Sequence, residues 1–232
     1  LGFSKIFLIS LFLFNSTNSF SAEKQEKLLE QSWSFNGFFG KFDRASLQRG
    51  YQVYAEVCSS CHSMSLLSYR NLAEVGGPGF SEAEVKAIAS KIEVLDGPND
   101  SGEMFKRAGR PSDKFYSPFA NEKAARAANG GAYPPDMSVL AKTRPGGADY
   151  IYSILLGYDE KTPKDLKLED GVYYNKYMPG NKIKMAKPLN KDAVTYSDGT
   201  EASVEQMSKD ISTFLTWAAE PHLEARKRIG FK

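Results

Sequence analysis

With 232 residues, 41% of them hydrophobic and 25% charged, the chain is long enough to bury a core and is read as one domain. The 30 Lys and Arg nearly balance the 28 Asp and Glu, leaving a formal charge of +2. Outside the last few residues no basic stripe with interleaved aromatics occurs, which excludes a nucleic-acid footprint.

Lys5 precedes an apolar run from Ile6 to Phe14 and then small polar residues from Asn15 to Ser21, the pattern of a secretory signal peptide. That run is too short to span the bilayer, which takes roughly 20 apolar residues as a helix. Ser19 and Ser21 fit a cut after Ser21, whereas a cut after Ala22 would put Phe20 at a disfavoured place. Residues 1–21 are therefore read as the signal peptide.

Over residues 44–57, Leu47, Tyr51, Tyr54 and Val57 recur at helical intervals, with Asp43 placed as N-cap. This predicted helix leads into Cys58-Ser-Ser-Cys61-His62, and C-x-x-C-H is the attachment pattern for a c-type haem. Two thiols three residues apart can each add to one vinyl group of the same porphyrin, which places the adjacent histidine under the iron. Three other readings compete. A thioredoxin-like pair belongs beside a strand–helix unit, whereas the residues before Cys58 look helical; a zinc site needs four ligands, and only His222 remains to join the three. A local disulfide is the third, favoured by export but not by the spacing.

His222 is the only other histidine and follows Pro221 near the C-terminus, so a bis-histidine haem would need the tail to fold back over the porphyrin. A methionine sixth ligand fits better and leaves no open position, which suits electron transfer. Met64 lies too close to His62 to reach the opposite face of the ring. Met207 falls in a helical pattern and reads as core. Met104 and Met137 sit in loop-like surroundings, while Met178 in Tyr-Met-Pro-Gly and Met185 in Ile-Lys-Met-Ala-Lys-Pro are flanked by stiffening prolines. Spacing alone leaves Met178 and Met185 tied.

Farther along, a glycine- and charge-rich stretch from Gly76 to Gly109 contains a short helix over Ser81 to Lys91 that opens with the capping-box spacing Ser81…Glu84. A turn follows at Asp96 to Asp100. Asn121 to Ala128 reads as a helix stopped by Asn129-Gly130-Gly131. Tyr133-Pro134-Pro135 must run extended, either merely crossing the surface or packing on a porphyrin. Ala148 to Tyr158 is helical and apolar on one side, residues 159–200 are loop-rich, and Glu201 to Ala219 is amphipathic until Glu220-Pro221 breaks it. The basic run Arg226 to Lys232 is of the kind found at the margin of a membrane span. No repeat, nucleotide-binding glycine loop or serine–histidine–acid set occurs. The fold class is mainly α, a c-type cytochrome domain with long loop insertions and few or no short strands.

Several segments, in order, resemble the cytochrome c1 family. They are Trp33-Ser-Phe-Asn-Gly-Phe-Phe-Gly40, the haem motif with Met64, Glu122 through Tyr133-Pro134-Pro135-Asp136, and Arg144-Pro-Gly-Gly-Ala-Asp-Tyr150. Tyr173 through Gly180, Ile183 through Pro188 and Phe214 through Pro221 complete the series. The resemblance implies one haem c, with Met185 of the Met-Ala-x-Pro stretch as sixth ligand and Arg144 as partner of a haem propionate. It also places Asn129, Tyr150, Pro134 and Pro135 near the haem edge. By the same token the chain is expected to be the electron-transfer subunit of the cytochrome bc1 complex, with cytochrome b, the Rieske iron–sulfur protein and cytochrome c as partners. Quinol chemistry lies in other subunits, so the chain is not itself expected to be an enzyme.

The export signal points to the periplasmic side of a bacterial inner membrane, and the family adds a C-terminal membrane helix. Residues 22–221 are accordingly read as the haem domain and 222–232 as the start of that anchor. Glu93, Asp96, Asp100 and Glu103 are either ordinary solvated charges or a surface that steers a basic cytochrome c. A free periplasmic electron carrier is the alternative, and a haem enzyme such as a peroxidase would need an open sixth position.

Overall fold

In the computed structural model, which describes residues 26–158 and 161–230, the Asp43 carboxylate accepts a hydrogen bond from the Ser46 amide and opens α1 (Arg44–Glu56). The expected signal peptide, residues 1–21, lies outside the described residues. Leu47, Val53 and Tyr54 on one face of α1 are buried against α6 (Val204–Ala219), which buries Met207, Ile211, Phe214, Leu215 and Trp217. α6 starts later than the apolar pattern suggested, because Ser203 leaves the helix at φ −67°, ψ 158° and caps the Gln206 amide.

The two helices cross at Gly50. A Cβ there would lie 2.2 Å from the Asp210 carbonyl oxygen and 2.6 Å from Phe214 Cβ, so the absent side chain is what lets the backbones approach. Beside the crossing, the fully buried Asp210 carboxylate accepts from Ser46 Oγ at 2.7 Å and from Arg49 Nε at 2.9 Å, pinning α1 to α6.

α2 (Glu82–Ser90) opens with the predicted capping box: the Ser81 amide donates to Glu84 and the Glu84 amide to Ser81 Oγ. The turn expected after it is the tip of an antiparallel hairpin formed by β1 (Glu93–Asp96) and β2 (Phe105–Ala108). Those strands escape a sequence reading because each is only four residues long and none of their residues is buried, so no apolar face marks them. Arg107 fastens the hairpin by pairing with Asp96 and with Asp113.

α3 (Glu122–Ala128) starts one residue later than read, because Asn121 caps it instead of opening it, and the following Tyr133-Pro134-Pro135 has no regular secondary structure. α4 (Leu140–Thr143) and α5 (Gly147–Leu156) both pack on α6. The second half is loop-rich, with β3 (Tyr173–Tyr174) and β4 (Lys182–Ile183) as a small antiparallel pair. Among the described residues the protein is thus mainly helical with two small two-stranded sheets, as the sequence indicated.

The described part of the basic C-terminal run lies in a helix, α7 (Leu223–Gly230), a feature the sequence reading lacked. Arg44 pairs with Glu224 at 2.7 Å, and Lys227 Nζ donates to the carbonyls of Phe35 and Gly37. Among the described residues no helix is long and apolar enough to cross a membrane.

Candidate haem site

α1 ends at Val57, and Cys58–Ser60 forms a single 3₁₀ turn. The Cys58 carbonyl accepts from the amides of both Cys61, at 3.1 Å, and His62, at 2.9 Å. That doubly used oxygen curls the chain tightly and draws Cys58, Cys61 and His62 into one compact turn. Both cysteines are free thiols and half-buried. Burial, reinforced by Cys61, pushes the Cys58 thiol up to about 12, which keeps it protonated at neutral pH.

His62 is buried, and its Nδ1 lies 2.8 Å from the carbonyl oxygen of Pro135. A carbonyl can only accept, so Nδ1 carries the hydrogen and the Nε2 lone pair is left available. Burial also lowers the imidazole pKa despite that bond, favouring the neutral ring a metal requires. Two free cysteines able to add across vinyl groups, next to a neutral histidine with its tautomer fixed, match what a covalently attached haem needs. The zinc alternative has no such support: among the described residues no three His, Cys, Asp or Glu side chains converge as an ion site.

The proline pair therefore does more than cross the surface. Its carbonyl orients His62, and Pro134 lines a cavity of about 310 Å³ together with Cys61, Ser63, Tyr133 and Asp136. Asp136 was not singled out by sequence. Its carboxylate accepts from Ser63 Oγ at 2.8 Å and from the amides of Ser65 at 2.9 Å and Ser138 at 2.8 Å. Burial alone would raise its pKa, but the hydrogen bonds from Ser138 and Ser65 outweigh it and hold the carboxyl down to about 2. The available signal was an aspartate directly after a stiff proline pair, a residue type that bonds neighbouring backbone.

The methionines separate. Met64 and Met207 are fully buried, Met137 is also in the core, and Met104 is 56% exposed. Met178 and Met185 are both half-buried, but the Tyr150 hydroxyl donates to the Met178 sulfur at 3.6 Å. Met185 is held through its backbone instead: its carbonyl accepts from Tyr158 at 2.9 Å, and neighbouring Lys184 donates from Nζ to the Gly130 carbonyl at 3.2 Å. The second bond ties the Met185 loop to the turn after α3, next to Asn129. Asn129 uses its own side chain to close α3, donating to the Ala125 carbonyl at 2.7 Å. Arg144 is half-buried, with its guanidinium reaching only Thr143 at 3.4–3.5 Å and no carboxylate partner among the described residues. His222 is exposed just before α7.

A family model described as the Cytochrome C1 family matches residues 33–232. Among curated proteins, the chain is 52% identical over 241 residues to the "Cytochrome b/c1" of Bradyrhizobium diazoefficiens, covering 96% of this chain but only 35% of that protein. It is 48% identical to the "Cytochrome c1" of Rhodospirillum rubrum, with 88% of this chain and 80% of that one covered. It is likewise 48% identical to the "Cytochrome b-c1 complex catalytic subunit, mitochondrial" of Candida albicans, with 87% and 69% covered. A helix-fed C-x-x-C-H turn, a histidine fixed through Pro135 and a match across most of the sequence converge on one conclusion: the chain belongs to the cytochrome c1 family.

Proposed function

We propose that this chain carries one haem c, joined by thioethers to Cys58 and Cys61, with His62 Nε2 and the Met185 sulfur as axial ligands, and that it relays electrons within a cytochrome bc1 complex. The observation that carries this reading is the His62–Pro135 hydrogen bond beside two free cysteines held in the same turn. Cys58 and Cys61 would hold the haem by adding S–H across its two vinyl double bonds, sulfur to one carbon and hydrogen to the other, with no oxidant consumed. Bound in this way, the haem iron supplies a one-electron Fe(III)/Fe(II) couple.

The protein's contribution is to fix both axial groups and to exclude competing ligands. Pro135 keeps the His62 lone pair directed away from Nδ1, and Tyr158 with Lys184 holds the Met185 segment from two sides. Filled axial positions favour electron transfer over oxygen or substrate binding. Arg144, with no carboxylate of its own among the described residues, is suited to pair with a haem propionate. Asn129, Tyr150, Pro134 and Pro135 would line the haem edge, and Tyr150 also donates to the sulfur of the competing Met178.

On this reading the electron donor is the Rieske iron–sulfur protein, the acceptor is a cytochrome c, and cytochrome b is the membrane neighbour. The names of the Bradyrhizobium and Candida relatives, both referring to b and c1 together, support complex membership. The location is the periplasmic side of a bacterial inner membrane. The test is mild-detergent purification of the tagged product of the complete gene, with mass spectrometry of whatever co-migrates with its covalent haem. Cytochrome b and a Rieske protein are expected; a lone soluble haem protein would leave the free-carrier reading instead.

A further inference from the structure

The proline pair whose Pro135 carbonyl orients His62 cannot fix itself by backbone donation. Pro134 and Pro135 lack amide hydrogens, so neither can hydrogen-bond the chain to its surroundings as a donor, and Pro135 is exposed, so burial does not fix it either. Attachment begins at the next residue. The Asp136 carboxylate takes the Ser63 hydroxyl and Ser65 amide on one oxygen and the Ser138 amide on the other. Ser63 directly follows His62, so the bond from Ser63 Oγ joins the residue after the histidine to the residue after the carbonyl that orients it. We propose that Asp136 is a positioning residue for His62, locking the proline strap onto the haem turn so that the Pro135 carbonyl stays on Nδ1.

Two further bonds hold the strap when Asp136 is removed: the Met137 amide to the Ser63 carbonyl at 2.8 Å, and the Leu66 amide to Ser138 Oγ at 3.0 Å. Loss of the carboxylate therefore leaves the strap docked beyond residue 136 while freeing the end that carries the Pro135 carbonyl. The consequence is local: more frequent opening of the His62–Pro135 bond without loss of the fold.

The inference rests on the haem reading, and the test separates the two. In the reduced, diamagnetic, haem-loaded full chain, NMR follows solvent exchange of the His62 Nδ1 hydrogen. Charge-assisted bonds being the stronger class, Asp136→Ala is expected to speed that exchange about tenfold, and Asp136→Asn, which keeps one acceptor oxygen, about threefold. Asp100→Ala, which removes an exposed carboxylate from the hairpin, is expected to leave it unchanged. Exchange within about twofold of the parent in both Asp136 variants, with covalent haem intact, would overturn the positioning role. Should the alanine variant fail to retain haem, the asparagine variant decides by the same criterion. Absence of covalent haem from the parent protein would instead overturn the haem reading and the inference with it.

Discussion

The Tyr158 hydroxyl donates to the Met185 carbonyl at 2.9 Å, joining the residues just after α5 to the loop that carries the proposed sixth ligand. Burial raises the pKa of the phenol, so it remains a donor throughout the working pH range. The bond crosses 27 residues of chain, which makes it a tertiary brace and not a local turn.

Removing that brace frees Met185 without touching its sulfur. A net hydrogen bond contributes about 1 kcal/mol, so Tyr158→Phe is expected to raise the population with Met185 displaced about fivefold. Carbon monoxide association with the reduced protein reads this population directly, because the ligand enters only when the methionine has left. Met185→Ala should make association fast, and Met178→Leu should leave it at the parent rate. If Met178→Leu opened the site and Met185→Ala did not, the ligand assignment would pass to Met178.

Gly50 yields a prediction about assembly of the whole site. Its missing side chain sets the distance between α1 and α6, and the atoms a methyl group would meet include the Asp210 backbone, which cannot rotate away. Overpacking of this kind costs about 1–3 kcal/mol, and the rigid obstacle places Gly50→Ala at or above the upper end. Urea unfolding of the haem-loaded protein should show the loss. A variant as stable as the parent would mean that the crossing relaxes freely.

The sequence made some of this legible for definite reasons. Asp43, Ser81 and the spacing of Leu47, Tyr51 and Tyr54 act through neighbours a few residues away, so caps and helices could be read directly. C-x-x-C-H is equally local. The roles of Asp136 and Tyr158 depend on partners 73 and 27 residues distant, and no period or spacing encodes those pairings. Met178 and Met185 illustrate the limit: both stand by prolines in sequence, and they diverge only once Tyr150 is seen to meet one sulfur while Tyr158 holds the other backbone. α7 was obscured for a different reason, since its charge concealed a helix whose contacts are largely polar ones, to Arg44 and to the Phe35–Gly40 carbonyls.

Acid sensitivity should concentrate partly in the hairpin. The Arg107 guanidinium, hydrogen-bonded to Asp113, holds that carboxyl at about 2, below its ordinary 3.8. A carboxylate with a depressed folded-state pKa stabilises fully above its unfolded value, and this stabilisation is lost as the pH falls through the folded one. The melting temperature should therefore drop as pH falls from about 5 towards about 2. Asp113→Asn should be less stable at neutral pH and show a shallower decline across the same window. Parallel curves for parent and variant would locate the acid sensitivity elsewhere.

Asp210 and Asp198 provide a sharper test of what holds α1 against α6, because both bind Arg49 yet differ in burial. Asp210 has no exposed side-chain surface and also takes Ser46 and Gln206, whereas the Asp198 side chain is 41% exposed. Removing one member of a buried pair leaves the other uncompensated, at a cost of about 3–5 kcal/mol. Arg49 is 15% exposed and retains Asp198 at 2.8 Å, which reduces the expectation for Asp210→Ala to about 2–4 kcal/mol, still far above the ~0–1 kcal/mol of an exposed pair expected for Asp198→Ala. Replacing Arg49 and Asp210 together by leucine should recover part of the loss, since no unpaired charge then remains inside. Equal destabilisation by the two aspartate variants in urea unfolding would show that burial of Asp210 is not what ties α1 to the core.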